Sequence, residues 1–193
     1  MNITQKILKK IQNKGKGWVF TPKDFLKIRH LNTINPLIDR LENRGYIRTL
    51  GNGLYDYPII DRNTGKLLPP KLDNIIRALE VLLNDKFIFS HEYAAFLFGV
   101  NKSLTAEIKY LSNKRNSKII SIAGYNIKIL KTTIKIPKNK YHKPTLAFQS
   151  IYYFGKNIPF SVLKKIISQL NIKELETLKT LSKQFAWMSR LLN

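Results

Sequence analysis

The sequence predicts an α+β protein in two parts: an N-terminal winged bundle of three helices, then a mixed α/β domain with a small sheet and a helical C-terminus. Three observations carry this reading. Helix start and stop signals recur three times before Gly45. A glycine-hinged pair of β-rich runs, YIRTLGNGLYDYP, follows at once over residues 46–58. Strands alternating Ile or Tyr with Lys begin only at Ala106, within AEIKYLS.

In the first helix Ile3, Ile7, Leu8 and Ile11 recur at helical spacing, with Lys6, Lys9, Lys10 and Lys14 interleaved. It ends before Gly15 and Gly17. The next stretch, WVFTPKDFLKI, predicts a two-turn helix. Thr21 is a good N-cap, Pro22 suits the first helical position, Asp24 completes a capping-box variant, and Phe20 can staple onto Phe25. Cap and staple together are worth about 1–2 kcal/mol. The third helix, NTINPLIDRLENRG, buries Ile34, Leu37, Ile38 and Leu41, holds Pro36 in its first turn and closes at Gly45. A two-strand hairpin is marginal alone. The one after Gly45 must therefore lean on the helices through Tyr46, Ile47, Leu50, Leu54 and Tyr55. Three helices and a glycine-tipped hairpin describe a winged helix-turn-helix over residues 1–60.

A linker is expected over 61–70, where Gly65 and Pro69-Pro70 interrupt periodic structure. The second domain, 71–193, opens with the amphipathic helix LDNIIRALEVLL, the strand FIFS and the helix HEYAAFLFGV capped by Ser90. The strands AEIKYLS, KIISIAG and YNIKILKT follow, with turns at Asn113–Asn116 and Ala123–Tyr125. They project Lys109, Lys118, Lys128 and Lys131 as a basic sheet face. From Thr145 the segments TLAFQSIYYFGK, SVLKKIISQL and IKELETLKTLSKQFAWMSRLL are helical.

Charge points to the partner. In 193 residues, 34 Lys and Arg stand against 12 Asp and Glu, a net +22. An excess of that size fits a polyanion, most often nucleic acid. It concentrates in two regions: residues 1–60 hold 11 basic and 4 acidic side chains, and 101–145 hold 11 against Glu107 alone. Opposite the buried stripe of the third helix lie Thr33, Asn35, Arg40, Asn43 and Arg44. Arg and Asn make bidentate contacts to guanine and adenine edges in the major groove. Lys14, Lys16, Lys23 and Arg48 are placed to hold phosphates, with Thr21 at the helix entry and Asn52 at the hairpin tip completing the expected DNA surface.

Chemistry of other kinds finds little support. With no cysteine there is no disulfide, thiolate nucleophile or thiolate metal site. His30, His91 and His142 are scattered without ligand spacing, no phosphate-cradling glycine motif occurs, and no cofactor is expected. Asp85 with Glu107-Ile108-Lys109 superficially matches a Mg²⁺-nuclease acid…E-x-K arrangement. No run of eighteen apolar residues or signal-like start appears, so no membrane partner is expected and a cytoplasmic protein is.

The strings KGKGWVFTPKDFL, RGYIRTLGNGLYDYP, HEYAAFLFGV and AWMSRLL, in this order, resemble the AbiEi-like antitoxin and transcriptional-regulator family of type IV toxin–antitoxin systems. The resemblance is strongest at Gly17–Leu26 and Gly53–Pro58. It implies a winged helix that represses its own operon by binding a double-stranded DNA operator. It also implies a C-terminal domain that counteracts a nucleotidyltransferase toxin without a stable complex, and no enzymatic activity. The Lys-rich second region, through Lys109, Lys128 and Lys131, is the expected antitoxin surface. The family pattern carries a basic residue ahead of GLYDYP where this chain has Asn52, which leaves Arg48 or Lys16 to supply a wing contact. Three rival readings stand beside this one: a stand-alone mobile-element repressor, the Mg²⁺ nuclease, and an RNA binder stacking bases on Tyr110 and Tyr125.

Overall fold

The computed structural model describes residues 1–103, 107–114, 116–135, 137 and 142–193. It is α+β and divides into two compact units. The first comprises Met1–Asp85 together with the hairpin tip Ser121–Asn126; the second comprises Lys86–Ile120 and Ile127–Asn193. The stretch 61–70, expected as a linker, therefore lies inside the first unit, as does the helix after it.

The first unit runs α1 (Ile3–Lys14), β1 (Val19–Phe20), a 3₁₀ turn (Pro22–Phe25), α2 (Leu31–Asn43), β2 (Arg48–Gly51), β3 (Leu54–Asp56) and α3 (Leu72–Leu83). Asn2 caps α1 in a full capping box with Gln5, at 2.8 and 2.9 Å, and Ile7 and Ile11 are buried on its inner face. The strands form a sheet of order β1-β3-β2, antiparallel, with Val19 opposite Asp56 and Phe20 opposite Tyr55. Aromatic rings knit strand to turn. Trp18 stacks on Phe20 at 4.8 Å, and Phe25 meets Phe20 edge-on at 5.5 Å.

Two expectations change here. The two-turn helix after Thr21 is only a 3₁₀ turn followed by a bend. Asp24 accepts the Thr21 N–H at 2.9 Å as a cap should, but Leu26 is exposed and beyond Phe25 only Ile28 reaches the core, partly buried, too little apolar surface to carry a second helical turn. α2 begins at Leu31 behind His30, so Pro36 falls in its second turn rather than its first and leaves the Asn32 carbonyl without its intrahelical donor. The wing residues divide as well: Ile47 and Leu54 are buried, whereas Tyr46 is 47% exposed.

α3 packs on β1, β3 and the 3₁₀ turn through Ile75, Ile76, Ala78 and Leu79. Polar contacts fasten it: Asn74 Nδ2 donates to the Gly17 carbonyl at 2.8 Å, and Arg77 donates to the Val19 carbonyl while lying over the Trp18 ring.

The second unit contains β4 (Ile88–Phe89), α4 (His91–Leu97), β5 (Ile108–Ser112), α5 (Lys143–Phe154), α6 (Phe160–Ile167), α7 (Ile172–Ser182) and α8 (Ala186–Leu191). Strands β6 (Lys118–Ile122) and β7 (Tyr125–Lys131) complete a four-stranded sheet of order β4-β5-β7-β6. Ser90 caps α4 as expected, accepting the Tyr93 N–H at 3.2 Å. β5 and β7 run parallel, Lys109 opposite Lys128 and Ser112 opposite Lys131. The helical core gathers Phe98, Ala147, Phe148, Ile151, Ile166, Leu178 and Met188. The last helix read from sequence is two: the chain is extended at Phe185, whose ring packs on Phe148 and Tyr152 at 6.2 and 5.0 Å. The expected strand start at Ala106 and Arg115 of the expected turn lie outside the described residues.

Candidate nucleic-acid interface

The face of α2 opposite Ile34, Ile38 and Leu41 is solvent-exposed along its length. Thr33, Asn35, Arg40 and Asn43 all lie on it, and none makes a side-chain hydrogen bond or ion pair among the described residues. Arg44 follows, exposed at the helix C-cap, and Gly45, at φ 72, turns the chain toward the hairpin. The amphipathic pattern alone achieves this. Burying one stripe of a 3.6-residue helix must present the other to solvent. Lys14 and Lys16, flanking Gly15 after α1, are exposed as well.

Four other expected contacts are buried or engaged within the chain. Thr21 is fully buried, so it cannot reach DNA. Lys23 is half-buried and its Nζ donates to the Leu82 carbonyl at 2.7 Å. Arg48 grips Asp56 with two hydrogen bonds, Nε to Oδ1 at 3.0 Å and Nη2 to Oδ2 at 2.6 Å, and also donates to the Leu68 carbonyl at 3.0 Å. Asp56 is 1% exposed, and its hydrogen bond raises the Arg48 pKa further. The alternation of the strand turns Arg48 inward toward β3, which sequence could not distinguish from an outward wing contact. Asn52, at φ 54 in the hairpin tip, is exposed and donates to the Ser121 carbonyl at 3.1 Å.

Reading the helix from Asn32 missed Asn32 itself, which the start at Leu31 places on the exposed face. Lys10, read from sequence as one of the interleaved lysines of the first helix, is half-buried above the Phe25 ring at 5.3 Å with its Nζ donating to the Asp24 carbonyl. Burial lowers the Lys10 pKa.

In the second unit the expected basic sheet face is divided. Lys109 and Lys128 sit side by side across β5 and β7, and Glu107 bridges them at 2.9 and 3.8 Å. The hydrogen bond from Lys109 holds the Glu107 carboxyl below its usual range. Lys131 lies three residues beyond Lys128, an odd offset, and so shares a strand face with Ile127 and Ile129 instead. Lys118 is exposed at the start of β6. Among the described residues no cluster of three or more His, Asp or Glu is placed to hold a metal ion. Asp85, expected beside Glu107 in a nuclease site, is buried in the first unit. Tyr110, expected to stack bases, is 3% exposed and packs against Phe89.

The fold and its surfaces thus define an α+β protein whose first unit presents a polar helix face beside a small antiparallel sheet. The chain belongs to the DUF6088 family, a family of unknown function, whose family model matches residues 6–178. No curated protein matches it. Among the described residues no helix is long and apolar enough to cross a membrane.

Proposed function

We propose that this chain is a sequence-specific DNA-binding autorepressor built on an N-terminal winged helix-turn-helix. On this reading it is also the antitoxin of a type IV, AbiE-like system, countering a nucleotidyltransferase toxin in the cytoplasm. The observation that carries the DNA-binding half is the α2 face, where Thr33, Asn35, Arg40 and Asn43 stand exposed and, among the described residues, unpartnered. The order of helix, strand, short turn, helix and glycine-tipped hairpin supports the winged reading. The 3₁₀ turn then stands for the first helix of the helix-turn-helix pair, α2 for the recognition helix and β2–β3 for the wing. The antitoxin half is supported by the resemblance of GWVFTPKDF and GLYDYP to that family. Those two strings lie next to each other, Val19 and Phe20 pairing with Asp56 and Tyr55.

The test is binding of the whole chain to duplex DNA from upstream of its own gene, against scrambled duplex, across 50–200 mM salt. With Lys23 and Arg48 engaged internally, Lys14, Lys16 and Arg44 remain as exposed phosphate partners. Three such contacts give a slope of about −3 in log K against log[salt]. A flat profile would mean that the +22 charge serves something other than DNA. Co-expression with the adjacent gene product, scored for restored growth, tests the antitoxin half separately.

A further inference from the structure

Down the exposed side of α2, Asn32, Asn35, Asp39 and Asn43 recur at spacings of three and four residues. They form one stripe of short hydrogen-bonding side chains, with the longer Arg40 and Arg44 beside it. The stripe is about 16 Å long at about 1.5 Å per residue, the reach of roughly 4–5 base pairs. Three members are amides. The fourth is a carboxylate, on a chain with 34 basic and 12 acidic side chains, and Asp39 makes no ion pair among the described residues. A carboxylate facing phosphates weakens binding to every sequence. Facing base edges, it accepts a hydrogen bond from the cytosine N4 amino group; adenine also offers an amino donor, but with the N7 acceptor beside it, which suits an amide and repels a carboxylate.

Resting on the reading of α2 as the DNA-facing helix, we infer that Asp39 is a specificity-determining residue that reads a cytosine amino group. Asn32, Asn35 and Asn43 read adenine edges around it. The partner is duplex DNA whose major groove presents one cytosine amino group among adenines. Short side chains let the helix lie close to the groove floor, while Lys14, Lys16 and Arg44 take phosphates at the margins.

The experiment is selection from a random duplex pool with the whole chain and with Asp39→Asn and Asp39→Ala, circular dichroism confirming that both variants fold. The wild type is expected to enrich a core of four or five base pairs holding adenines and one fixed C·G pair. Asp39→Asn should convert that pair to A·T and bind the original core roughly tenfold to a hundredfold more weakly. Asp39→Ala should flatten preference at that position, and both variants should hold random duplex at least as tightly as the wild type. An Asp39→Asn pool with the wild-type core overturns the inference, as does a wild type that binds duplex without enriching any sequence. Absence of duplex binding by the wild type overturns the underlying DNA-binding reading instead.

Discussion

Single residues of similar chemistry are sorted here by what lies behind them. Arg48 and Arg40 are both basic and both close to the hairpin in sequence, yet Arg48 closes a fork on the buried Asp56 while Arg40 is exposed and has no partner among the described residues. Removing Arg48 leaves a buried carboxylate unpaired, a change that costs 3–5 kcal/mol when both partners are fully buried. Because the Arg48 side chain is 26% exposed, Arg48→Ala should destabilise the chain by about 2–3 kcal/mol in denaturant unfolding. Its salt slope for DNA should stay unchanged, and a reduced slope would return Arg48 to the phosphate contacts. His91, at the start of α4, offers a second test. Its ring lies 4.5 Å from Tyr152, and burial pushes the imidazole down to about 4. The folded pKa lies below the unfolded value, so the unfolded state takes up the proton first as pH falls. The contribution is complete above about pH 6.5 and is lost as pH drops toward 4, up to about 3 kcal/mol in all. His91→Phe should lose that much less stability than the wild type between pH 7 and pH 4, measured by denaturant titration at each pH. Parallel losses would place the acid sensitivity elsewhere.

At the scale of elements, α2 carries the functional proposal and α2 was the part most legible in the sequence. Its buried stripe and the side chains opposite follow from periodicity alone, since one face of an amphipathic helix dictates the other. On the proposed reading, Asn35→Ala and Arg40→Ala should each weaken binding to the chain's own upstream DNA by about 1–3 kcal/mol while leaving scrambled duplex nearly unaffected. Equal losses on both duplexes would make these residues phosphate contacts. Other elements were less legible for identifiable reasons. The Thr21–Asp24 cap promised a helix start, but a cap does not sustain a helix when Leu26 stays exposed and only Ile28, partly buried, follows Phe25 onto the core. The break before α8 has no glycine or proline to announce it; it follows from the packing of the Phe185 ring on α5. The parallel pairing of β5 with β7 likewise depends on sheet order, which alternation within each strand does not encode. Lys131 is different: its three-residue offset from Lys128 on one strand puts it on the other face, which alternation alone does encode.

For the whole molecule, composition foretold a charged partner surface but not where the first unit ends. Pro69-Pro70 reads locally as a boundary, yet the chain beyond it returns to complete the unit with α3. Ile75, Ile76, Ala78 and Leu79 are fully buried, and α3 packs on β1, β3 and the 3₁₀ turn. Its polar contacts satisfy backbone carbonyls of that small sheet and turn: Asn74 serves Gly17, Arg77 serves Val19, and Lys23 in return serves Leu82. A fragment of residues 1–68 would keep the proposed recognition helix and wing but expose the apolar surface that α3 covers. Full burial of an Ile or Leu side chain is worth about 1.5–3 kcal/mol, so the loss of three exceeds what a sixty-residue unit can spare. Residues 1–68 should therefore lack a cooperative thermal transition and bind upstream duplex weakly. Residues 1–85 should melt cooperatively and approach the DNA affinity of the whole chain. They forgo only the Ser121–Asn126 tip, whose hydrogen bonds to Asn52 and Pro70 are at the exposed or half-buried margin. On the proposed antitoxin reading, neither fragment should restore growth on co-expression with the adjacent gene product, because Lys109, Lys128 and Lys131 lie beyond both. Cooperative melting by residues 1–68, followed by circular dichroism, would show that α3 is dispensable to the unit it completes. Protection by residues 1–85 would move the proposed antitoxin role into the unit that carries α2.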